Sequence, residues 1–297
     1  MLRRVPHADP LCDASRRLRA GCRGRNPADR PRARGASRRV SHRLLRLSRL
    51  AFLLPALLLS GCDGATPAGK TEDVVARVPF APGERLVYAI QDTTGTRLGT
   101  GTLSVAQQDG HLSLRQSYEE TSPPAGLPPS VDGGAVEVDA KTLRPLSGTR
   151  QIARREGNAV PVDAYTWTYG ESDGKDVLRA TAVKHGKSPS QKDITLRDHY
   201  YDNESSLWLW RTLDFVDGYD KFYVSANPVE QEQQTVNLSI RQRETVEVPA
   251  GKFEAWRLLF RSGRAVRTAW VNVAAPHEVV KWDNGDVIFA LESSTRP

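Results

Sequence analysis

Only a few residues in this sequence stand at spacings that could do chemistry. Gly170-Glu171-Ser172-Asp173-Gly174 fits G-x-S-x-G, the pattern of a nucleophilic serine on a sharp strand-to-helix turn. Its surroundings differ, because Trp167 and Val177 flank it as they would a β-hairpin. A hydrolase built on Ser172 is therefore the least favoured reading. Asp198, His199, Asp202 and Glu204 bunch together and could offer oxygen and imidazole ligands. They lack the i, i+4 histidine pair or the second cluster of a zinc site, so they read as caps and turn formers, with hard-cation binding a minor option. His111, His185 and His277 have no sequence partner that would make them general bases. Gly95, Gly99 and Gly101 do not lead into a helix, so no phosphate loop is assigned. The sequence thus assigns no catalytic residue, no metal and no cofactor.

The elements that would have to position any site are mostly strands. Leu86, Tyr88 and Ile90 alternate with polar or small neighbours, and Asp109-Gly110 joins Leu98–Val105 to Leu112–Tyr118 as a hairpin. Further strands are expected near 135–139, 146–154, 160–169, 176–184 and 192–197, after a Pro/Gly loop at 121–134. A meander follows over 221–225, 235–248, 252–261, 266–273, 279–282 and 287–292. Val248-Pro-Ala-Gly-Lys252 reads as a three-residue hairpin, and Asn284-Gly285 as a two-residue one. One helix is expected, about 203–213, capped by Asp202 or Asn203 and apolar around nearly its whole circumference, hence buried. The predicted fold is mainly β: a curved antiparallel sheet or open β-barrel with that helix packed on its concave side. Trp167, Trp208, Trp210, Trp256, Trp270 and Trp282 read first as core. Leu207, Trp208 and Trp210 from the helix, with Trp256 and Trp270 from the sheet, are the residues expected to line an apolar pocket if one exists.

Charge and cysteine usage narrow the class. The chain carries a formal +7, but residues 1–61 hold 15 arginines, no lysine and three acids, which leaves the remainder at −5. That acidic balance offers no electrostatic footprint for nucleic acid. Cys12, Cys22 and Cys62 are the three thiols, so beyond residue 62 no disulfide can form. A segment of about 236 residues buries a sizeable core without one.

The basic run Arg38, Arg39, Arg43, Arg46 and Arg49 precedes an uncharged, aliphatic stretch at Leu50–Leu59, interrupted by Pro55. Ten residues fall short of the roughly 20 that a bilayer-spanning helix needs, and the arrangement is that of a signal peptide at 38–61. Residues 1–37, rich in Arg, Ala, Gly and Pro, are either a disordered basic extension or the product of a translation start set too far upstream. Residues 62–79 read as a tether and 80–293 as a single β-rich domain.

Leu59-Ser60-Gly61-Cys62 resembles the lipobox of bacterial lipoproteins. The resemblance implies cleavage before Cys62, acylation of its thiol with palmitate-type chains, and a membrane as the first partner. Two or three acyl chains make a durable anchor where one is marginal. The implied address is the cell envelope, with the domain outside the cytoplasm on the periplasmic side; Asp63 resembles the signal that retains a lipoprotein in the inner membrane. A second resemblance lies in Y-D-N-E-S-S-L-W-L-W-R at 201–211, E-T-V-E-V-P-A-G-K-F-E-A-W-R at 244–257 and W-D-N-G-D-V-I-F at 282–289. These segments are similar to an uncharacterised domain family of bacterial envelope proteins marked by the V-P-A-G-x-F hairpin. It implies a curved sheet with a helix, like periplasmic lipoprotein carriers, and brings no catalytic residues. The leading expectation is therefore non-enzymatic binding of an apolar ligand, an acyl chain or lipid, between sheet and helix. A structural or assembly lipoprotein that binds a protein partner is the alternative.

Overall fold

A computed structural model describes residues 69–263 and 265–297. Cys62, the lipobox residues Leu59, Ser60 and Gly61, Asp63, the signal segment 38–61 and the extension 1–37 lie outside the described residues. Among the described residues no helix is long and apolar enough to cross a membrane.

Period-two alternation produces fifteen strands. The first half of the domain is β1 (Arg85–Asp92), β2 (Arg97–Gln108), β3 (His111–Glu120), β4 (Val131–Val138), β5 (Pro145–Ala153), β6 (Val162–Ser172), β7 (Lys175–Val183) and β8 (Ser190–Thr195). The second half is β9 (Tyr200–Asp202), β10 (Asp220–Asn227), β11 (Glu232–Val248), β12 (Gly251–Ser262), β13 (Ala265–Asn272), β14 (Val279–Asp283) and β15 (Val287–Thr295). They form one sheet in the order β8-β7-β6-β5-β4-β3-β2-β1-β15-β14-β13-β12-β11-β10-β9. Each half is a meander, and β1 paired with β15 welds the two together. All pairs are antiparallel except β9 with β10. Register shifts that leave an extra residue in β2 (Leu98), β5 (Leu146), β11 (Arg241), β14 (Val280) and β15 (Glu292) bend the sheet, since a bulge adds local twist and curvature.

The ladder does not close; side chains bring its two ends together instead. Lys192 Nζ donates to the Gln231 carbonyl (2.8 Å), Gln233 Nε2 to the Thr195 carbonyl (2.7 Å) and Arg197 Nη1 to Thr235 Oγ1 (2.7 Å). Residues 223–227 and 236–240 are buried on both faces, so this end of the sheet is covered on both sides.

Meandering sorts the connections into two sets. Loops 109–110, 139–144, 173–174, 196–199, 249–250 and 273–278 gather at the end where Gly69 begins, here called proximal. Loops 93–96, 121–130, 154–161, 184–189, 228–231 and 284–286 gather at the opposite, distal end.

Turn chemistry follows the residues, with three departures from expectation. Asp109-Gly110 (φ 48°, 83°) and Asp173-Gly174 (φ 53°, 71°) are two-residue turns with both central residues left-handed. The Pro249-Ala250 turn is closed by Val248 opposite Gly251, so this hairpin has two loop residues rather than three. The last turn is shifted by one residue: Asn284 Oδ1 accepts from the backbones of Asp286 and Val287, which makes Gly285-Asp286 the central pair. The helix is shorter than 203–213. A 3-10 turn at Asn203–Ser205 runs into α1 (Ser206–Leu209), and beyond Trp210 the amides of Arg211 and Thr212 bond only three residues back, to the Trp208 and Leu209 carbonyls.

Candidate functional site

The interior is filled by the chain itself, and residues 202–213 are its centre. All twelve are buried. Asp202 caps the 3-10 turn by accepting from the Glu204 amide (2.7 Å), while its other oxygen accepts from Trp167 Nε1 and Tyr169 Oη, both at 2.8 Å. Burial pushes the Asp202 carboxyl up to about 6, against those three hydrogen bonds and the Arg150 charge. Glu204 meets Arg150 Nη1 at 2.5 Å and accepts from Gln116 at 2.8 Å, and Arg150 grips Asp132 with its other two nitrogens. On the far side Arg211 makes a two-pronged pair with Glu84 (2.5 and 2.9 Å) and donates to the carbonyls of Pro276 and His277. Its guanidinium lies 4.9 Å from the centre of the Phe80 ring. Two desolvated ion pairs thus pin one short segment to β5 on one side and to the approach to β1 on the other.

Glycines make room for these bulky groups. Gly101 lies under the Tyr118 ring, Gly134 beside Arg150 and Gly148 under the Trp167 indole, each directly across the ladder from its partner. A Cβ on Gly148 would sit 2.3 Å from the indole and 2.8 Å from the Ala135 carbonyl. The strap at residues 71–84 crosses the interior beneath. Thr71 bridges Phe222, the amides of Ala76 and Arg77 donate to the Thr212 carbonyl, and Val74 and Phe80 join the core. Residues that composition assigned to the tether are therefore integrated from Thr71 onward.

The expected lining residues separate into three settings. Trp208 and Trp210 are 0% exposed and Leu207 is 4% exposed. The Trp210 ring centre lies 4.0 Å from that of Phe260 and 4.6 Å from that of Trp282, which is contact. Trp256 lies near the proximal end, stacked on Phe215 and covered by Arg243. Trp270 is a correction: it belongs to the outer face of β13, because Arg267, Ala269 and Val271 take the buried positions, and it bonds Glu244 beneath Lys281. Depressions of about 340 Å³ at Glu247–Pro249 against Lys281 and Ile288, and of about 180 Å³ at Arg154, Asp163 and Lys184, lie at the surface. Neither is lined by Leu207, Trp208 or Trp210.

The other chemistry-bearing residues are dispersed. Ser172 is exposed, the last residue of β6 opposite Lys175, so no strand-to-helix elbow exists there. Asp202 and Glu204 point into the interior, whereas His199 contacts Asp73 (3.3 Å) near the surface and the Asp198 carbonyl faces Thr71. Groups of three or more His, Cys, Asp or Glu able to hold a metal are absent among the described residues. His111, at the start of β3, and His185, in the loop after β7, are exposed at opposite ends of the sheet; His277 packs against Phe215. Arg150, Arg211, Glu84, Gln116 and Tyr169 are the residues that sequence reasoning missed. Their only signal was a charge at each end of an apolar segment, Glu204 and Arg211.

A family model described as a protein of unknown function, DUF3108, matches residues 86–288. The chain belongs to the DUF3108 family. The DUF3108 stretch holds Arg150, Glu204, Arg211 and the turn at Pro249-Ala250, and begins two residues after Glu84. Among curated proteins none matches this chain. Of solved structures, a beta-barrel-like protein of domain of unknown function DUF1849 from Brucella abortus is similar at TM-score 0.47 and 10% identity, covering 74% of this chain and 99% of that one. A protein described as exported, with a YmcC-like fold, from Bacteroides fragilis gives TM-score 0.28 at 12% identity over 75% of this chain and all of its own. One described as a lipoprotein from Parabacteroides distasonis gives 0.29 at 9% identity over 76% and 100%.

Proposed function

We propose that this DUF3108 protein is a lipid-anchored component of the bacterial envelope, held through Cys62 with its domain on the periplasmic side, that binds a protein partner through its outer surface. The observation that carries this reading is the packed interior: Trp208 and Trp210, the expected pocket walls, have no exposed surface and touch other core rings. Carriage of an acyl chain between sheet and helix would require displacing a segment fixed by two buried ion pairs, and each such pair is costly to break. The address rests on the lipobox Leu59-Ser60-Gly61-Cys62, and Asp63 favours the inner membrane.

The outer surface offers a place for contact at the distal end. Val131, Ala153 and Val162 lie directly across β4, β5 and β6 from one another, and Val183 pairs with Ala164 beside them. Val131, Val162 and Val183 are 37%, 48% and 45% exposed. An exposed apolar row among polar neighbours fits the core of a protein contact. The test is a photo-crosslinking amino acid at Val162 in living cells, beside the same residue at Ser172 on the proximal end. A discrete protein adduct from position 162 alone is expected. Native mass spectrometry of the lipidated protein decides between this reading and carriage: a lipid bound in addition to the covalent acyl chains would overturn it.

A further inference from the structure

The start of the described chain fixes which way the domain faces. Gly69 lies against the Phe222 ring, where a Cβ would come within 2.1 Å of it, and Glu72 bonds the Phe222 carbonyl and Lys221. Both anchor points belong to the beginning of β10, at the proximal end. Only residues 63–68 separate Gly69 from Cys62, so seven Cα steps span at most about 25 Å. A ten-residue strand such as β3 spans about 33 Å. For the distal end to face the lipid, Gly69 would have to stand farther above the headgroups than its tether allows.

We propose that the proximal end is a bilayer-facing surface and that the loop 214–219 makes the contact; this rests on the lipid-anchor reading above. That loop is rigid. Phe215 is wedged between His277 (ring centres 4.7 Å apart) and Trp256 (6.2 Å), and Gly218 closes the turn at φ 79°. Wedging Phe215 inward presents Val216 outward, 48% exposed. Tyr219 beneath Lys221 ties the loop to the point where the strap emerges. Asp214, Asp217 and Asp220 flank the valine, so the contact is shallow, at headgroup level, and takes a zwitterionic surface in preference to an anionic one. The partner is a phospholipid bilayer, and the apolar row at the distal end is left facing away from it.

The full chain, purified in its lipidated form and reconstituted into phosphatidylcholine vesicles containing headgroup-spin-labelled lipid, tests this. Cys12 and Cys22 leave with the signal peptide and Cys62 is acylated, so Val216→Cys or Val162→Cys supplies the single thiol for a bimane label. Several-fold stronger quenching at 216 than at 162 is expected. Stronger quenching at 162, or equally weak quenching at both in vesicle-bound protein, overturns the orientation while leaving the anchor intact. Protein that fails to float with the vesicles overturns the anchor and the orientation with it. Asp217→Cys serves as a second reporter on the same loop if Val216→Cys does not fold.

Discussion

Glu84→Gln removes one charge from the interior while keeping the shape of the side chain. It leaves the Arg211 guanidinium, 1% exposed, facing a neutral amide and the carbonyls of Pro276 and His277. Removing one partner of a buried ion pair costs about 3–5 kcal/mol, because the remaining charge stays desolvated. That is a large share of the roughly 5–15 kcal/mol by which domains are stable. In a domain of this size each kcal/mol moves the melting temperature by about 2–4 °C, so a loss of about 4 kcal/mol lowers it by about 8–16 °C. Thermal unfolding followed by circular dichroism reads this directly. Glu247→Gln is the control: its partner Lys252 is 3.8 Å away and the two side chains are 79% and 69% exposed, so screening by solvent holds the effect within about 0.5 kcal/mol. The double variant Glu84→Leu/Arg211→Met is expected to recover much of the loss, since an apolar pair of similar volume often replaces a buried ion pair without penalty. A Glu84→Gln protein that melts with the wild type, or a double variant as unstable as the two single losses combined, would refute the reasoning.

Three other outcomes are expected. Asp202 has its folded-state value raised from 3.8 to about 6, so its contribution to stability is fully present below about pH 4 and is lost as pH rises through 6. At roughly 1.4 kcal/mol per unit that loss is about 3 kcal/mol; Asp202→Asn is expected to flatten the melting temperature between pH 4 and 7. Gly148→Ala drives a methyl into the Trp167 indole and is expected to cost about 1–3 kcal/mol by overpacking, whereas Gly133→Ala, whose nearest neighbour would be 3.4 Å away, is expected to be nearly silent in the same denaturant titration. Cys62→Ser is expected to abolish palmitate incorporation and move the protein from the membrane to the soluble fraction, because acyl burial supplies the affinity; unchanged membrane partitioning would count against the anchor.

The strands were legible because alternation is a local signal: Leu112, Leu114 and Tyr118 on one face of β3 announce themselves. The Asp109-Gly110 turn was legible for the same reason, since two adjacent left-handed residues restrict the sequence strongly. The site was legible only in outline. The 203–213 segment read correctly as buried, but the helix in it is shorter: past Trp210 the amides bond three residues back, while the Arg211 side chain and the Thr212 carbonyl are held by Glu84 and the strap. Arg150 carries no mark of burial in sequence, and nothing local names the partner of Arg211, because Glu204 and Glu84 lie 54 and 127 residues away from them. Trp270 was misplaced because an aromatic on a strand does not state its face; the alternation of β13, with Arg267, Ala269 and Val271 inward, decides it.

The weld between β1 and β15 governs when this protein can fold. Arg85 pairs with Thr295, so although β1 to β8 can pair neighbour by neighbour as the chain emerges amino terminus first, the second edge of β1 waits for the last strand. At about 5–20 residues per second, synthesis of that interval takes some 10–40 s. Contacts of such sequence separation are slow to form, and until this one is made the backbone groups along that edge of β1 stay unpaired. Loss of the final strand alone would leave β1 joined to β2 only, a bare edge in the middle of the sheet.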